Sequence, residues 1–160
     1  MKHLTLIDKG VGYVLLQGFL IGLIIFGSRE AYLVPGVLAF IAPYLTALGI
    51  AIALLGLLVS GISAWNLGKN LTPLPCPRDG SELVQTGLYR IVRHPIYFGV
   101  LMVALGWLFI YPYVSILIYV IFLCIFFDIK TRREEVWLLA RFPEYSTYQA
   151  KVKKLVPGCY

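Results

Sequence analysis

Polar and apolar positions along this chain are sorted into blocks. Three blocks are apolar almost without interruption: Val11 to Phe26, Ala31 to Trp65 and Tyr97 to Phe127. The first two hold no charged side chain, and none follows the third before Asp128. A helix that crosses a bilayer needs about 20 apolar residues at about 1.5 Å rise each, so the first block with its flanks predicts one span. The second is too long for one straight crossing. Pro35 and Pro43 divide it into a short bent or interfacial lead-in and a span ending near Trp65, because proline removes a backbone donor and kinks a helix. The third block carries "FIYPYVS", Phe109 to Ser115, at its middle. A proline flanked by tyrosines predicts a tight turn with its aromatics at headgroup level.

The pattern therefore predicts an all-α, polytopic integral membrane protein with about four transmembrane helices. The last two form a short helical hairpin, and a helical C-terminal segment follows on the cytoplasmic side. Two full spans in the second block would make five and reverse the N-terminus. At 160 residues there is room for one domain, with N-terminal transmembrane helices over 11–65 and a chemistry-bearing region over 66–157.

Charge tests this topology. With both termini cytoplasmic, thirteen of the fourteen lysines and arginines, Lys2 and Lys9 among them, gather on that side and Arg29 stands alone opposite. That is a strong positive-inside asymmetry. The net charge of +6 is thereby accounted for by orientation and anionic headgroups, with no need of nucleic acid. Cys76, Cys124 and Cys159 are odd in number and widely spaced, which suggests neither a disulfide framework nor a metal site.

Dense polar information lies in two places, Asn66 to Pro95 and Asp128 onward, and the topology puts both at the same membrane face. "NLGKNLTPLPCPRDGSELVQTGLYR" has prolines at 73, 75 and 77 and predicts an extended or irregular loop, since each X-Pro step pushes its predecessor out of the helical region. On composition it reads equally as a linker or as a cover over a site. Arg93 and His94 precede Pro95, which suits the first turn of the third span. Unpaired N–H groups at a helix start, beside an arginine, can take a carboxylate or phosphate. Headgroup snorkelling by Arg90 and Arg93 is the plainer explanation for that segment alone. Tyr97 adds an aromatic face, and Gly99 a place of close approach to the backbone. Downstream, Glu134, Trp137, Leu138 and Arg141 share one helical face and Glu135, Leu138, Leu139 and Phe142 the next. Taken alone this is an amphipathic helix with surface pairs such as Glu134 with Arg141. Beyond Pro143, Tyr145, Tyr148 and Val152 fall on one face of a second helix.

Together, "GLYRIVRHPIYFG" and, one hydrophobic hairpin later, "EEVWLLARFPEYSTY" resemble the isoprenylcysteine carboxyl methyltransferase family and its phospholipid methyltransferase relatives. The shared pattern is G-x-Y-x-x-x-R-H-P-x-Y-x-G, then E-E-x-x-L-x-x-x-F with two tyrosines beyond. The likeness covers Asn66 to Pro157. It implies a membrane-embedded enzyme that uses S-adenosylmethionine without a Rossmann domain, and the chain indeed has no G-x-G-x-x-G. By position it implies cofactor contacts at His94, Tyr97, Gly99, Leu138, Tyr145 and Tyr148, with Arg93 and the Glu134/Glu135 pair tied to catalysis and acceptor handling. One departure stands out. Phe142 to Tyr145 is three positions where many relatives have four, and Pro143 replaces a usual Gly, which would turn the two tyrosines relative to the first half.

The implied acceptor is lipophilic or small, bearing a thiol, carboxylate or amine, and the implied location is the cytoplasmic membrane of a prokaryote. Two other readings compete: a small transporter or assembly protein, for which the spans offer few polar residues beyond Gln17, and a sterol-reductase-like nicotinamide enzyme, normally a much longer chain. Gly49 with Ala53, and Gly56 with Ser60, are small-x-x-x-small steps able to pack helices within or between chains.

Overall fold

The computed structural model describes residues 10–160, so Lys2 and Lys9 of the charge argument lie outside the described residues. Five α-helices follow one another: α1 (Val11–Phe26), α2 (Ala42–Leu67), α3 (Pro95–Ile110), α4 (Val114–Arg141) and α5 (Tyr145–Lys151). A 3₁₀ turn, Gly36–Ile41, leads into α2, so the proline-bounded lead-in is present as expected. Pro43 and Pro95 both stand in the first turn of their helices, where the missing N–H costs nothing. Between α2 and α3 the chain makes only two short 3₁₀ turns, Gly68–Asn70 and Gly87–Arg90. We refer to residues 68–94 as the strap.

The helices run alternately up and down. At one end Val114 N–H donates to Ala31 O at 2.9 Å, Leu33 N–H donates to Pro112 O at 2.7 Å, and the rings of Tyr32 and Tyr113 meet edge to face at 5.3 Å. The α3–α4 turn, Tyr111 to Tyr113, is as tight as its Pro-Tyr sequence predicts. Arg29 is at this end, and the eleven other described lysines and arginines lie in the strap, the last turns of α4, α5 or the tail, at the opposite one.

The most extensive helix pair is α2 with α3, and its seam is made of glycine. A Cβ on Gly49 would lie 2.6 Å from Gly106 O, and one on Gly56 would lie 2.6 Å from Gly99 O. Both helices repeat their glycines seven residues apart, two turns, so all four face the seam. The small-residue steps of α2 therefore pack within the chain. A second cluster, around Leu20, Ile24, Ile116, Val120, Leu123 and Phe127, joins α1 and α4 to the other side of α3.

Outside this core the surface is apolar. Phe19, Leu54, Leu57, Phe122 and Ile125 are all exposed, the reverse of a water-soluble fold. Two stretches, Gly36–Asn70 and Val114–Arg141, are long and apolar enough to cross a membrane. The other two apolar helices, α1 and α3, have 16 residues each, about 24 Å of helix.

Because α4 has 28 residues against 16 in α3, it outruns its hairpin partner at the polar end. Its extra turns carry Asp128 to Arg141. The strap and the C-terminal tail pack on them, and the tail is stitched to the residues before α3: Arg93 N–H donates to Lys153 O at 2.8 Å and His94 N–H to Lys154 O at 3.1 Å.

Candidate active site

The overhang of α4 creates a step, and the step is roofed. A cavity of about 400 Å³ lies beside it. Its wall is Arg93, His94, Ile96 and Tyr97 at the start of α3, facing Lys130, Glu134 and Leu138 of α4 and Tyr145 and Tyr148 of α5. The strap, from Asn70 to Pro77 and again from Ser81 to Val84, supplies the cover. Asn66 Oδ1 accepts from Leu88 N–H at 3.2 Å, and Asn70 Oδ1 from Glu82 N–H at 3.1 Å, so asparagines hold the two ends of the loop in place. Of its linker and cover readings, the second describes the fold.

His94, just ahead of α3, joins both carboxylates. Its Nδ1 lies 3.5 Å from Glu134 Oε2 and its Nε2 3.2 Å from Glu135 Oε1. Burial works against a proton on this ring. The hydrogen bonds and negative charge of Glu134 and Glu135 outweigh it and hold the pKa above its ordinary 6.5. Tyr97 donates its hydroxyl to Glu134 Oε1 at 2.5 Å, and its ring stacks on His94 at 5.8 Å and on Phe127 at 4.6 Å.

The two carboxylates, equivalent in sequence, have different tasks. Glu134 lines the cavity. Glu135 is buried behind it, accepting from Arg93 Nε at 2.7 Å and from Gln149 Nε2 at 3.0 Å. Arg93 spends a second nitrogen on the open C-terminus of α5, where Nη1 donates to Gln149 O at 3.1 Å and to Val152 O. Its Nη2 makes no hydrogen bond among the described residues. Arg93 is thus a brace between α3, α4 and α5 with one nitrogen to spare, not a free headgroup anchor.

Four placements differ from the sequence reading. Gly99 is absent from the cavity wall: it sits in the α2–α3 seam, where an added Cβ would meet Ser60 Oγ at 2.2 Å. What approaches its backbone here is α2. Arg141 does not pair with Glu134 but reaches Asp79 of the strap at 3.8 Å, since Glu134 points inward. Val152 lies one residue past α5 in extended conformation, serving Arg93 through its carbonyl. Despite the shortened Phe142–Tyr145 spacing, both tyrosines are buried and line the cavity. Tyr148 donates to Tyr89 O at 2.6 Å, and burial pushes its pKa up to about 12. Tyr145 is 1% exposed, and its hydroxyl has no hydrogen-bond partner within bonding geometry among the described residues. Burial, and secondarily the charge of Glu135, drives its pKa well up, so it remains a neutral donor.

Sequence reasoning missed Lys130, Gln17 and Tyr89. Lys130 is 1% exposed and lines the cavity, with Nζ donating to Gln17 Oε1 at 2.7 Å and to Pro73 O at 3.1 Å, and lying 4.9 Å from the Tyr97 ring centroid. A lysine just past an apolar span reads as snorkelling. The available signals were its i,i+4 spacing to Glu134 and the lone amide of Gln17 in α1.

Residues 44–144, more than half of the chain, match the model of the phospholipid methyltransferase family. The chain belongs to that family. It is also 32% identical over 116 residues to the protein-S-isoprenylcysteine O-methyltransferase of Saccharomyces cerevisiae, a match covering 70% of this chain and 48% of the yeast protein. The chain thus spans about half the length of the curated relative it matches. The family match runs from the start of α2 through Glu144 and so takes in the seam, the strap, Arg93 to Tyr97 and both carboxylates. The transporter and nicotinamide readings give way to the phospholipid methyltransferase family.

Proposed function

We propose that this chain is an integral-membrane methyltransferase that uses S-adenosylmethionine and acts on a lipophilic or small acceptor bearing a thiol, carboxylate or amine. One observation carries the reading: both halves of the family motif converge on one roofed cavity. The Glu134 carboxylate and the flat faces of Tyr97 and Tyr148 fit a ligand that combines ribose hydroxyls, an aromatic base and a cationic centre. His94, Leu138 and Tyr145 complete the proposed cofactor wall.

The cofactor supplies an electrophilic methyl group on a sulfonium. The chain's own part is placement. The strap excludes water, and the Tyr97 and His94 contacts hold Glu134 in one orientation, so an acceptor seated there is positioned at little further entropic cost. A thiolate or carboxylate acceptor needs no base. For an amine, Glu134 is the group placed to receive the proton. The spare Nη2 of Arg93 is suited to an acceptor carboxylate or phosphate. Glu135 acts through Arg93 and His94, as a positioning residue. The yeast relative's printed activity makes an isoprenylcysteine-like carboxylate one acceptor to try.

In the bilayer we place four spans, α1 to α4, with the cavity, both termini and the basic end on the cytoplasmic side of a prokaryotic inner membrane. The lopsided charge supports that orientation, and the length of α2 and α4 together with the apolar exterior supports the crossing.

Calorimetric titration of the detergent-purified protein with S-adenosylmethionine and S-adenosylhomocysteine tests the reading. Saturable binding is expected for both, weakened in Tyr97→Ala. Absence of binding in detergent and in lipid nanodiscs would overturn it. Glu134→Gln should bind cofactor weakly and remain folded, which separates Glu134 from its neighbour.

A further inference from the structure

α4 shows one outward stripe along its whole length. In the apolar half it consists of Ile118, Ile121, Phe122 and Ile125, all exposed. At about 100° per residue the same face continues through Ile129, Arg132, Arg133, Val136 and Leu139. These turns lie beyond the start of α3, on the overhang whose inner face walls the cavity. A helix end standing in water should turn polar on its outward side. Here Ile129 is 51% exposed, Val136 57% and Leu139 44%, in line with the stripe below them.

Length agrees with the pattern. The 28 residues of α4 make about 42 Å of helix, against a hydrocarbon core of roughly 30 Å, so with the Tyr111–Tyr113 turn in one headgroup layer the last turns of α4 stand in the other. Arg132 and Arg133 interrupt the stripe where such a helix passes the phosphates. Arg132 is held there by Asp128 at 2.8 Å with its side chain 68% exposed, and the Arg133 guanidinium lies 5.7 Å from the Trp137 ring. A second copy of the chain is a poor occupant of this face, because two copies meeting there would set like-charged arginine pairs against each other.

We propose that the outward face of α4 from Ile129 to Leu139 is seated in an anionic phospholipid headgroup layer, with the apolar side chains at the acyl boundary and Arg132 and Arg133 on lipid phosphates. The mixture of aliphatic and arginine side chains is that of an interfacial helix. The cavity on the other side of the same turns is then sunk within the headgroup layer. The inference rests on the membrane reading above and does not depend on methyl transfer.

A fluorescence experiment in nanodiscs decides it. With Cys76, Cys124 and Cys159 changed to Ser, an environment-sensitive label is placed at Val136→Cys, with Leu54→Cys on α2 as a lipid-facing reference and Asp79→Cys in the strap as a water-facing one. In discs of phosphatidylglycerol and phosphatidylcholine, the label at 136 should be quenched by lipid spin-labelled near the headgroup and shielded from iodide like that at 54. Replacing the phosphatidylglycerol by phosphatidylcholine, or introducing Arg133→Gln, should lower the shallow-lipid quenching at 136 without changing that at 54. Iodide quenching at 136 equal to that at 79 overturns the proposal. Shielding without lipid quenching, or shielding seen only with two copies per disc, also overturns it and assigns the face to a protein contact. If the label at 54 is not quenched by lipid spin-labelled deep in the acyl chain, the membrane reading fails instead, and the two failures are distinguishable.

Discussion

α3 is held on two sides by opposite means. Toward α2 it offers Gly99 and Gly106, and the contact is backbone on backbone with no charge involved. At its start it offers Arg93, His94 and Tyr97 to α4 and α5, and the contact is a network of charges and hydrogen bonds. The glycine seam gains from dispersion and has no tolerance for volume. The polar network has spare volume in the cavity beside it and no tolerance for lost charge. One helix thus combines a close-packed mounting with a charged, hydrogen-bonded tip, and substitutions should separate the two.

The largest effect should come from Glu135→Gln, which keeps the shape and removes the anion shared by Arg93 and His94. Breaking a buried pair by neutralising one partner costs about 3–5 kcal/mol, so the thermal midpoint in detergent should fall sharply. A midpoint close to that of the parent protein would mean that the network does not hold α4 and α5 to α3. Gly99→Ala tests the other side without touching a charge. Its new methyl has backbone and Ser60 in its way, and overpacking of this kind costs about 1–3 kcal/mol. The loss should be independent of pH, and unaltered stability would show that the seam can part.

pH sharpens the comparison further. His94 is held above its ordinary pKa, so the stability it contributes is fully present below the unfolded value near 6.5 and is lost as pH rises through the folded one. Thermal scans should show that decline in the parent protein and a flatter profile in His94→Gln, whereas Gly99→Ala should shift the whole curve downward without changing its slope. A parent profile indistinguishable from that of His94→Gln would remove the ring's protonation from the network. The smallest effect belongs to the strap's outer ion pair, Lys69 with Glu82 at 3.0 Å, whose side chains are 71% and 74% exposed. Lys69→Ala should change stability by less than about 1 kcal/mol, and cofactor titration should be unaffected. A marked loss of binding would mean that this surface pair fixes the cover.

Much of this molecule is determined by its sequence alone. Uninterrupted apolar blocks leave helices as the way to satisfy the backbone in a membrane. Pro35 with Pro43, the Tyr-Pro-Tyr turn and Pro95 mark boundaries because proline's constraints are local and need no partner. The Arg-His-Pro and Glu-Glu segments were legible as candidate site segments because their spacing within each segment is fixed by one helix or one turn. What the sequence could not decide is everything that depends on which face meets which. Glu134 and Glu135 are adjacent and chemically alike, and only the rotation of α4 against α3 turns one to the cavity and the other to Arg93. Gly99 has the same local freedom whether a ligand or a helix approaches it, and the seven-residue register of α2 supplies the helix. Lys130 resembles any lysine leaving a membrane until α1 and the strap bring Gln17 and Pro73 to it. Those are contacts across 57 and 113 positions of chain, and local pattern has no means of recording them.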